Sequence, residues 1–170
     1  MVSIVRLDES GWETLRELRL AALQDAPHAF WATWADEHRY TREDWVGFAG
    51  GVAWFVAVNQ DTPSARLAVG LVGCLQRQEL PDEPEVIGMW VRPDERGAGT
   101  ADLLIDALHR WAVARHVRSV GLWVVDGNDR ARRFYERHGY LLTGECAPLP
   151  AGRSGHEKRM RRTWSTAAQL

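Results

Sequence analysis

Cysteine is scarce in this chain: Cys74 and Cys146 are the 2 in 170 residues, far apart, with no Cys-x-x-Cys and no His pair beside either. A disulfide framework and a zinc knuckle are thereby excluded, and a reducing compartment fits. Lysine is scarcer still, because Lys158 stands alone among 21 basic residues and lies near the C-terminus. A phosphate loop of the Gly-Lys-Ser/Thr kind is absent, and the arginine surplus reads as the codon habit of a GC-rich genome. Long apolar runs are missing as well. The longest, Ala68 to Leu75, is far short of a membrane span, and Met1 to Glu9 has neither the basic nor the apolar region of a signal peptide. Neither sign of charge dominates, since 21 Lys+Arg against 23 Asp+Glu leave −2. Such a chain is not built to grip nucleic acid through its phosphates. None of the 6 histidines stands at ligand spacing from another. The expectation is a soluble, cytoplasmic protein with no metal, no nucleic acid and no membrane partner.

What is present is enough for one ordinary domain, able to bury roughly 70% of its unfolded-chain surface. Ser3 to Leu7 reads as a first strand. Ser10-Gly11-Trp12-Glu13 has the spacing of a capping box, and Trp12, Leu15, Leu18, Ala22 and Leu23 continue at helical intervals up to Pro27. A second helix begins at Thr41 and includes Trp45 and Phe48. Ala53 to Val58 and Leu67 to Gln76 form an antiparallel hairpin across the turn formers of residues 59–64. After the breaker cluster Leu80-Pro81-Asp82-Glu83-Pro84, a fourth strand runs from Glu85 to Val91. Thr100 to Arg115 is a helix with one apolar face and Ser119 to Val125 a strand, so the unit is strand, crossover helix, parallel strand. Asn128 to His138 is helical and closed by Gly139, with His109 and His138 on helix surfaces. A strand starts at Tyr140, Ala147 to Gly155 is a loop, and a last strand spans Glu157 to Trp164. The prediction is a mixed α/β (α+β) domain over residues 1–164, with about seven strands and about four helices, and a frayed tail at 165–170.

The chemistry concentrates where a strand turns through two glycines into a helix, at Val91-Arg92-Pro93-Asp94-Glu95-Arg96-Gly97-Ala98-Gly99-Thr100-Ala101. Free N–H groups and the positive end of the helix dipole meet there, which suits a diphosphate. A dinucleotide fingerprint would need a third glycine where Asp102 stands, so that ligand is disfavoured. Further on, Asn128-Asp129-Arg130-Ala131-Arg132-Arg133-Phe134-Tyr135-Glu136-Arg137-His138-Gly139-Tyr140 follows the next strand.

The two segments together resemble the signatures of the GNAT superfamily of acetyl-CoA-dependent N-acetyltransferases: Arg-x-x-Gly-x-Ala, and Asn-x-x-Ala-x-x-x-Tyr-x-x-x-Gly-Phe/Tyr. Ala26-Pro27-His28-Ala29-Phe30 adds to the likeness, and the order of elements agrees from Ser3 to Trp164. The resemblance implies splayed fourth and fifth strands with the pantetheine arm of acetyl-CoA between them. Main-chain groups of Met89, Trp90 and Val91 would then pair with that arm, Arg96, Gly97, Ala98, Gly99, Thr100 and Ala101 would cradle the pyrophosphate, and Asn128 would hold amides of the pantetheine or adenine side. Arg130, Arg132 and Arg133 serve the phosphates or simply form a solvated helix face. Tyr135 stands where relatives place the phenol that protonates the departing thiolate, a fitting general acid because a phenol titrates near ~10. The plain alternative is an aromatic pair with Phe134. Glu85 stands where several relatives place a general base, its alternative being an exposed carboxylate at the start of a strand. Peptide-acetylating relatives also place a Glu 5 residues before the Asn, and here that position is Trp123. Asp126 is explained by turn chemistry.

The acceptor side is less specific. Phe30, Trp31, Trp34, Tyr40, Trp45 and the 147–155 loop either line a pocket for an amine or form core, and Asp36, Glu37 and Asp44 either attract a cation or are solvated. The expected activity is transfer of acetyl to a primary amine of a small molecule, by direct attack in a ternary complex. Alternatives are a protein or peptide N-acetyltransferase, a non-catalytic acyl-CoA sensor, and a nucleotide-binding protein unrelated to CoA. Relatives often form homodimers.

Overall fold

The structure is a computed structural model that describes residues 1–61, 68–78, 80–150 and 152–164. Part of the 59–64 turn, Ala151 of the Pro/Gly loop and the 165–170 tail therefore lie outside the described residues. The strands form a seven-stranded sheet in the order β1-β2-β3-β4-β5-β7-β6, with ranges Val2–Arg6, Ala53–Asn59, Ala68–Arg77, Leu80–Val91, Ser119–Val125, Leu141–Pro148 and His156–Thr163 from β1 to β7. Five α-helices are described: α1 (Trp12–Asp25), α2 (Trp34–Glu37), α3 (Arg42–Gly51), α4 (Thr100–Ala114) and α5 (Asp129–Arg137). Residues divide into two compact units, one of 1–75 with 86–111 and one of 76–85 with 112–164. None of the described helices is long and apolar enough to cross a membrane.

The first unit is built on α1, α3 and the β1-β2-β3 meander. Leu15, Leu18, Ala22 and Leu23 recur at three- and four-residue spacing along α1 and are all buried against Trp45, Trp54, Val56, Leu71 and Trp90. The start of α1 corrects the sequence reading. Ser10 is not its cap; Asp8 accepts from the Ser10 amide at 2.9 Å and caps a one-turn 3-10 helix, Glu9–Gly11, that leads into α1. A short carboxylate two residues back reaches that amide more directly than a box spanning three. The capping box is instead at α3, where Asp44 accepts from the Thr41 amide at 2.8 Å and Thr41 from the Asp44 amide at 3.2 Å. One helix more than expected is present, the single turn α2, capped by Thr33. His109 is a second correction: it is 5% exposed, because it follows Ile105 by one helical turn on the buried stripe of α4.

The second unit centres on β5, β7 and β6, paired antiparallel, with Val120, Leu122, Tyr140 and Met160 at its core. Here β4 begins at Leu80 rather than Glu85, taking in both prolines of the breaker cluster; proline costs a strand nothing where no ladder hydrogen bond needs its nitrogen. β6 likewise runs to Pro148, into the segment read as loop, and the loop proper closes where the Leu149 amide donates to Gly155 at 3.1 Å. Among the described residues the parallel pairing of β4 with β5 is at Glu85 and Gly121.

Candidate active site

In the first unit, β4 ends at Val91 and the chain passes through a 3-10 turn, Pro93–Glu95, before Arg96 to Gly99 deliver it to α4. Gly97 and Gly99 have φ of +85° and +83°, and a Cβ at either would meet nothing within 4 Å. Glycine is demanded there by backbone conformation, and space remains on the outer side of the turn for a ligand to approach. The Leu103 amide donates to Gly99 at 3.1 Å, so α4 begins here, and the amides of its first turn have no partner within the helix. Thr100 is 2% exposed, and its hydroxyl has no hydrogen-bond partner among the described residues. A glycine turn that runs into a helix N-terminus, with a buried hydroxyl behind it that has no partner among the described residues, fits a diphosphate.

Arg96 behaves differently from the expectation. Its Nε donates to the Val91 carbonyl at 2.9 Å, and its Nη2 is paired with Asp25. Asp25 also accepts from the Trp90 indole at 2.8 Å. The indole hydrogen bond is the largest cause, with Arg96 adding to it, that holds the Asp25 carboxyl below its usual value. Arg96 thus braces the loop against β4 and the end of α1. Asp25 was invisible to sequence reasoning, since it lies 71 residues from Arg96 and carries no motif. Trp90 and Val91 are buried and Met89 half-buried on the same strand.

The aromatic segment after α1 separates into core and surface. Phe30 is 9% exposed and belongs to the core, Trp34 stacks on His38 with centroids 4.2 Å apart, and Trp31 is 56% exposed. Trp45 and Trp54 are fully buried, so core packing accounts for them. Glu37, read as a candidate attractor for a cation or a solvated acid, is buried with Arg19.

The second unit holds the proton-handling candidates. Tyr135 is 8% exposed, with Phe134 and Tyr140 rings at 5.1 and 5.4 Å. Burial pushes its phenol up, so it stays protonated at neutral pH. Glu85 lies inside β4 and is 4% exposed, which removes the reading as an exposed carboxylate at the start of a strand. Its Oε2 accepts from Arg77 Nε at 2.5 Å, while Oε1 has Arg159 Nη1 at 3.6 Å. Arg159 is itself buried, 5.3 Å over Trp123 and 3.3 Å from Glu83. A Cβ on Gly121 would stand 2.6 Å from its Nη2, so only glycine leaves room for that guanidinium. Asn128 caps α5, accepting from the Ala131 amide at 3.1 Å. It lines a pocket of about 110 Å³ with Asp126, Lys158, Arg132 and Met160. That volume is below the ~300 Å³ or more of ordinary ligand pockets. Asp126 and Lys158 pair across it at 2.8 Å.

A glycine turn opening onto a helix N-terminus, after a strand that pairs in parallel with the next, fits a protein of the acyl-CoA-binding α/β class. Residues 12–140 match the Acetyltransferase (GNAT) family, and the chain belongs to that family of acetyl-CoA-dependent N-acetyltransferases. Solved structures agree on the fold. A GNAT-family acetyltransferase from Streptococcus pneumoniae has a TM-score of 0.78 at 16% identity, covering 97% of this chain and 100% of that one. The ribosomal-protein-S18-alanine N-acetyltransferase from Escherichia coli has 0.71 at 15%, over 98% and 96%. NAA60 of Arabidopsis thaliana in complex with acetyl-CoA has 0.71 at 17%, over 96% and 98%. No curated protein matches the chain at significant similarity.

Proposed function

We propose that the protein transfers the acetyl group of acetyl-CoA to a primary amine of a small molecule, by direct attack and without an acetylated enzyme. The observation that carries the cofactor assignment is the turn at Gly97 and Gly99 with the unpaired Thr100 hydroxyl behind it. Arg96 to Ala101 and the main chain of Met89 to Val91 hold the cofactor, with Asn128 contributing an amide. Acetyl-CoA supplies an acetyl group already activated as a thioester.

The chain's own groups move the protons. The Tyr135 hydroxyl makes no hydrogen bond to a described residue and keeps its proton at neutral pH, so it is assigned the proton for the leaving thiolate. Glu85 is assigned the proton of the acceptor ammonium through Oε1, the oxygen that Arg77 leaves without a hydrogen bond. Direct attack is supported by Cys74, which is buried with its thiol pushed up to about 12 by that burial, and by the place of the exposed Cys146 outside both motif segments. A small acceptor is preferred because Trp123, under the Arg159 guanidinium, offers no second base where peptide-acetylating relatives place a Glu.

The test is CoA release with a broad panel of amines, for the native protein, Tyr135→Phe and Glu85→Gln. Turnover of a small amine by the native protein, with Glu85→Gln lowering kcat, is the expected result. Turnover of peptides alone reassigns the substrate. Tight acetyl-CoA binding without any turnover makes the protein a sensor, and an acetyl-enzyme intermediate rules out direct attack.

A further inference from the structure

Glu83 and Glu85 stand two residues apart in β4 and so share one face of the sheet. The arginines that meet them come from both sides, Arg77 from the end of β3 and Arg159 with Arg161 from β7. β5 lies between β4 and β7, and it lets the β7 side chains across because Gly121 has none: a Cβ there would stand 2.6 Å from Arg159 Nη2 and 2.8 Å from Glu83 Oε1. The two carboxylates are held in different ways. Arg161 donates to both oxygens of Glu83, from Nε to Oε1 at 2.7 Å and from Nη2 to Oε2 at 3.0 Å, which closes that carboxylate. Glu85 is held at Oε2 alone, by Arg77 Nε at 2.5 Å.

Arg159 is the more buried of the two arginines beside Glu85, but it does not orient it. It lies 3.3 Å from Glu83, 3.6 Å from Glu85 and 3.9 Å from Glu145, and its Nη2 makes no hydrogen bond among the described residues. A charge shared over three acids at such distances attracts without fixing an angle. The hydrogen bond from Arg77 does fix one. The last torsion of a glutamate is broad and roughly two-fold, so a carboxylate without partners exchanges its oxygens at little cost; a donor on Oε2 ends that freedom and leaves Oε1 facing one way. Direction matters for a base, which acts only within hydrogen-bond reach of the proton it takes, and a misplacement of about 1 Å can cost about a hundredfold.

We infer that Arg77 is the positioning residue of the base: by holding Glu85 Oε2 it presents Oε1 to the acceptor ammonium, whose proton moves to Oε1 and whose nitrogen keeps the electron pair that attacks the thioester carbon. The inference rests on the assignment of Glu85 as base. Arg77 acts through Glu85 and not on the substrates.

A double-mutant cycle in steady-state kinetics tests it, with acetyl-CoA and an amine that the native protein turns over. Arg77→Met removes the donor and keeps an unbranched side chain at this half-exposed position. It should lower kcat about tenfold, the return on one charge-assisted hydrogen bond, with the KM for acetyl-CoA within about twofold of native. In the Glu85→Gln background the same change should leave kcat within about twofold, because no base remains to be positioned. A residue that matters only for stability would lower the active fraction by the same factor in both backgrounds. That result overturns the inference, as does native kcat in Arg77→Met. Should Arg77→Met fail to fold, the cycle is run with Arg77→Lys, which keeps the charge and loses the planar fork; a loss of about threefold in the native background and none in Glu85→Gln is expected, and equal losses or no loss overturn the inference. Native kcat in Glu85→Gln removes the base from the proposed function and this inference with it, whereas a lowered kcat in Glu85→Gln beside native kcat in Arg77→Met removes the inference alone. No turnover of any amine removes both.

Discussion

Replacing Glu37 by Leu leaves the Arg19 guanidinium buried with only aromatic faces for company. The two side chains are 6% and 3% exposed, so neither charge is repaid by water. Removing one partner of such a pair costs about 3–5 kcal/mol, whereas replacing both by apolar groups of similar volume is often close to neutral. Arg19→Met alone should therefore cost as much as Glu37→Leu alone. The double variant should cost no more than either, which makes the coupling energy at least about 3 kcal/mol. Against a total stability of about 5–15 kcal/mol, each single change removes a large share. Urea unfolding at pH 7 followed by tryptophan fluorescence is the assay, since Trp54 lies 5.9 Å from the guanidinium carbon. With a slope of about 2 kcal/mol per molar, each single variant should unfold about 2 M earlier. A shift below about 0.5 M for Glu37→Leu, or costs that simply add in the double variant, would refute the view that the pair is buried and mutually dependent.

Asp25→Asn should loosen the glycine turn and weaken acetyl-CoA binding by calorimetry, because Trp90 and Arg96 lose their shared carboxylate. The native carboxyl titrates below its usual 3.8, so its stabilisation is present above that pH and is lost as pH falls through the lower native value. At about 1 kcal/mol for this half-exposed cluster, the gap in melting temperature between native and variant should close below pH 3.8. Gly99→Val forces a β-branched residue to φ +83°, and should abolish acetyl-CoA binding while circular dichroism stays native; unchanged affinity would remove the turn from the cofactor site. Tyr135→Phe should lower kcat by about a hundredfold with little change in the KM for acetyl-CoA, and an unaltered kcat would leave Tyr135 as a packing residue.

Much of the architecture was legible because local rules are strong where periodicity is long. The stripe of α1, the paired strands β2 and β3 and the crossover from β4 through α4 to β5 follow from spacings of three, four and two residues. The glycine turn was legible for the same reason: two positive φ angles before a helix demand glycine whatever surrounds them. Capping was less legible, because by spacing either Asp8 or Glu13 can accept from the Ser10 amide, and only the geometry shows that Asp8 does. The bounds of β4 and β6 were missed because both strands run through prolines that local rules treat as stops, and in β6 Pro148 is still paired with His156 of β7.

The sequence by itself thus determined the family and the glycine turn that leads into α4, both encoded within runs of a dozen residues. Only tertiary structure decided which charges are buried and with whom. Arg96 is turned to Asp25 across 71 residues, Arg19 to Glu37 across 18, and Glu85 is set between Arg77 and a buried Arg159. Those pairings depend on which surfaces the packed helices and strands hide from water, and no spacing along the chain reports that.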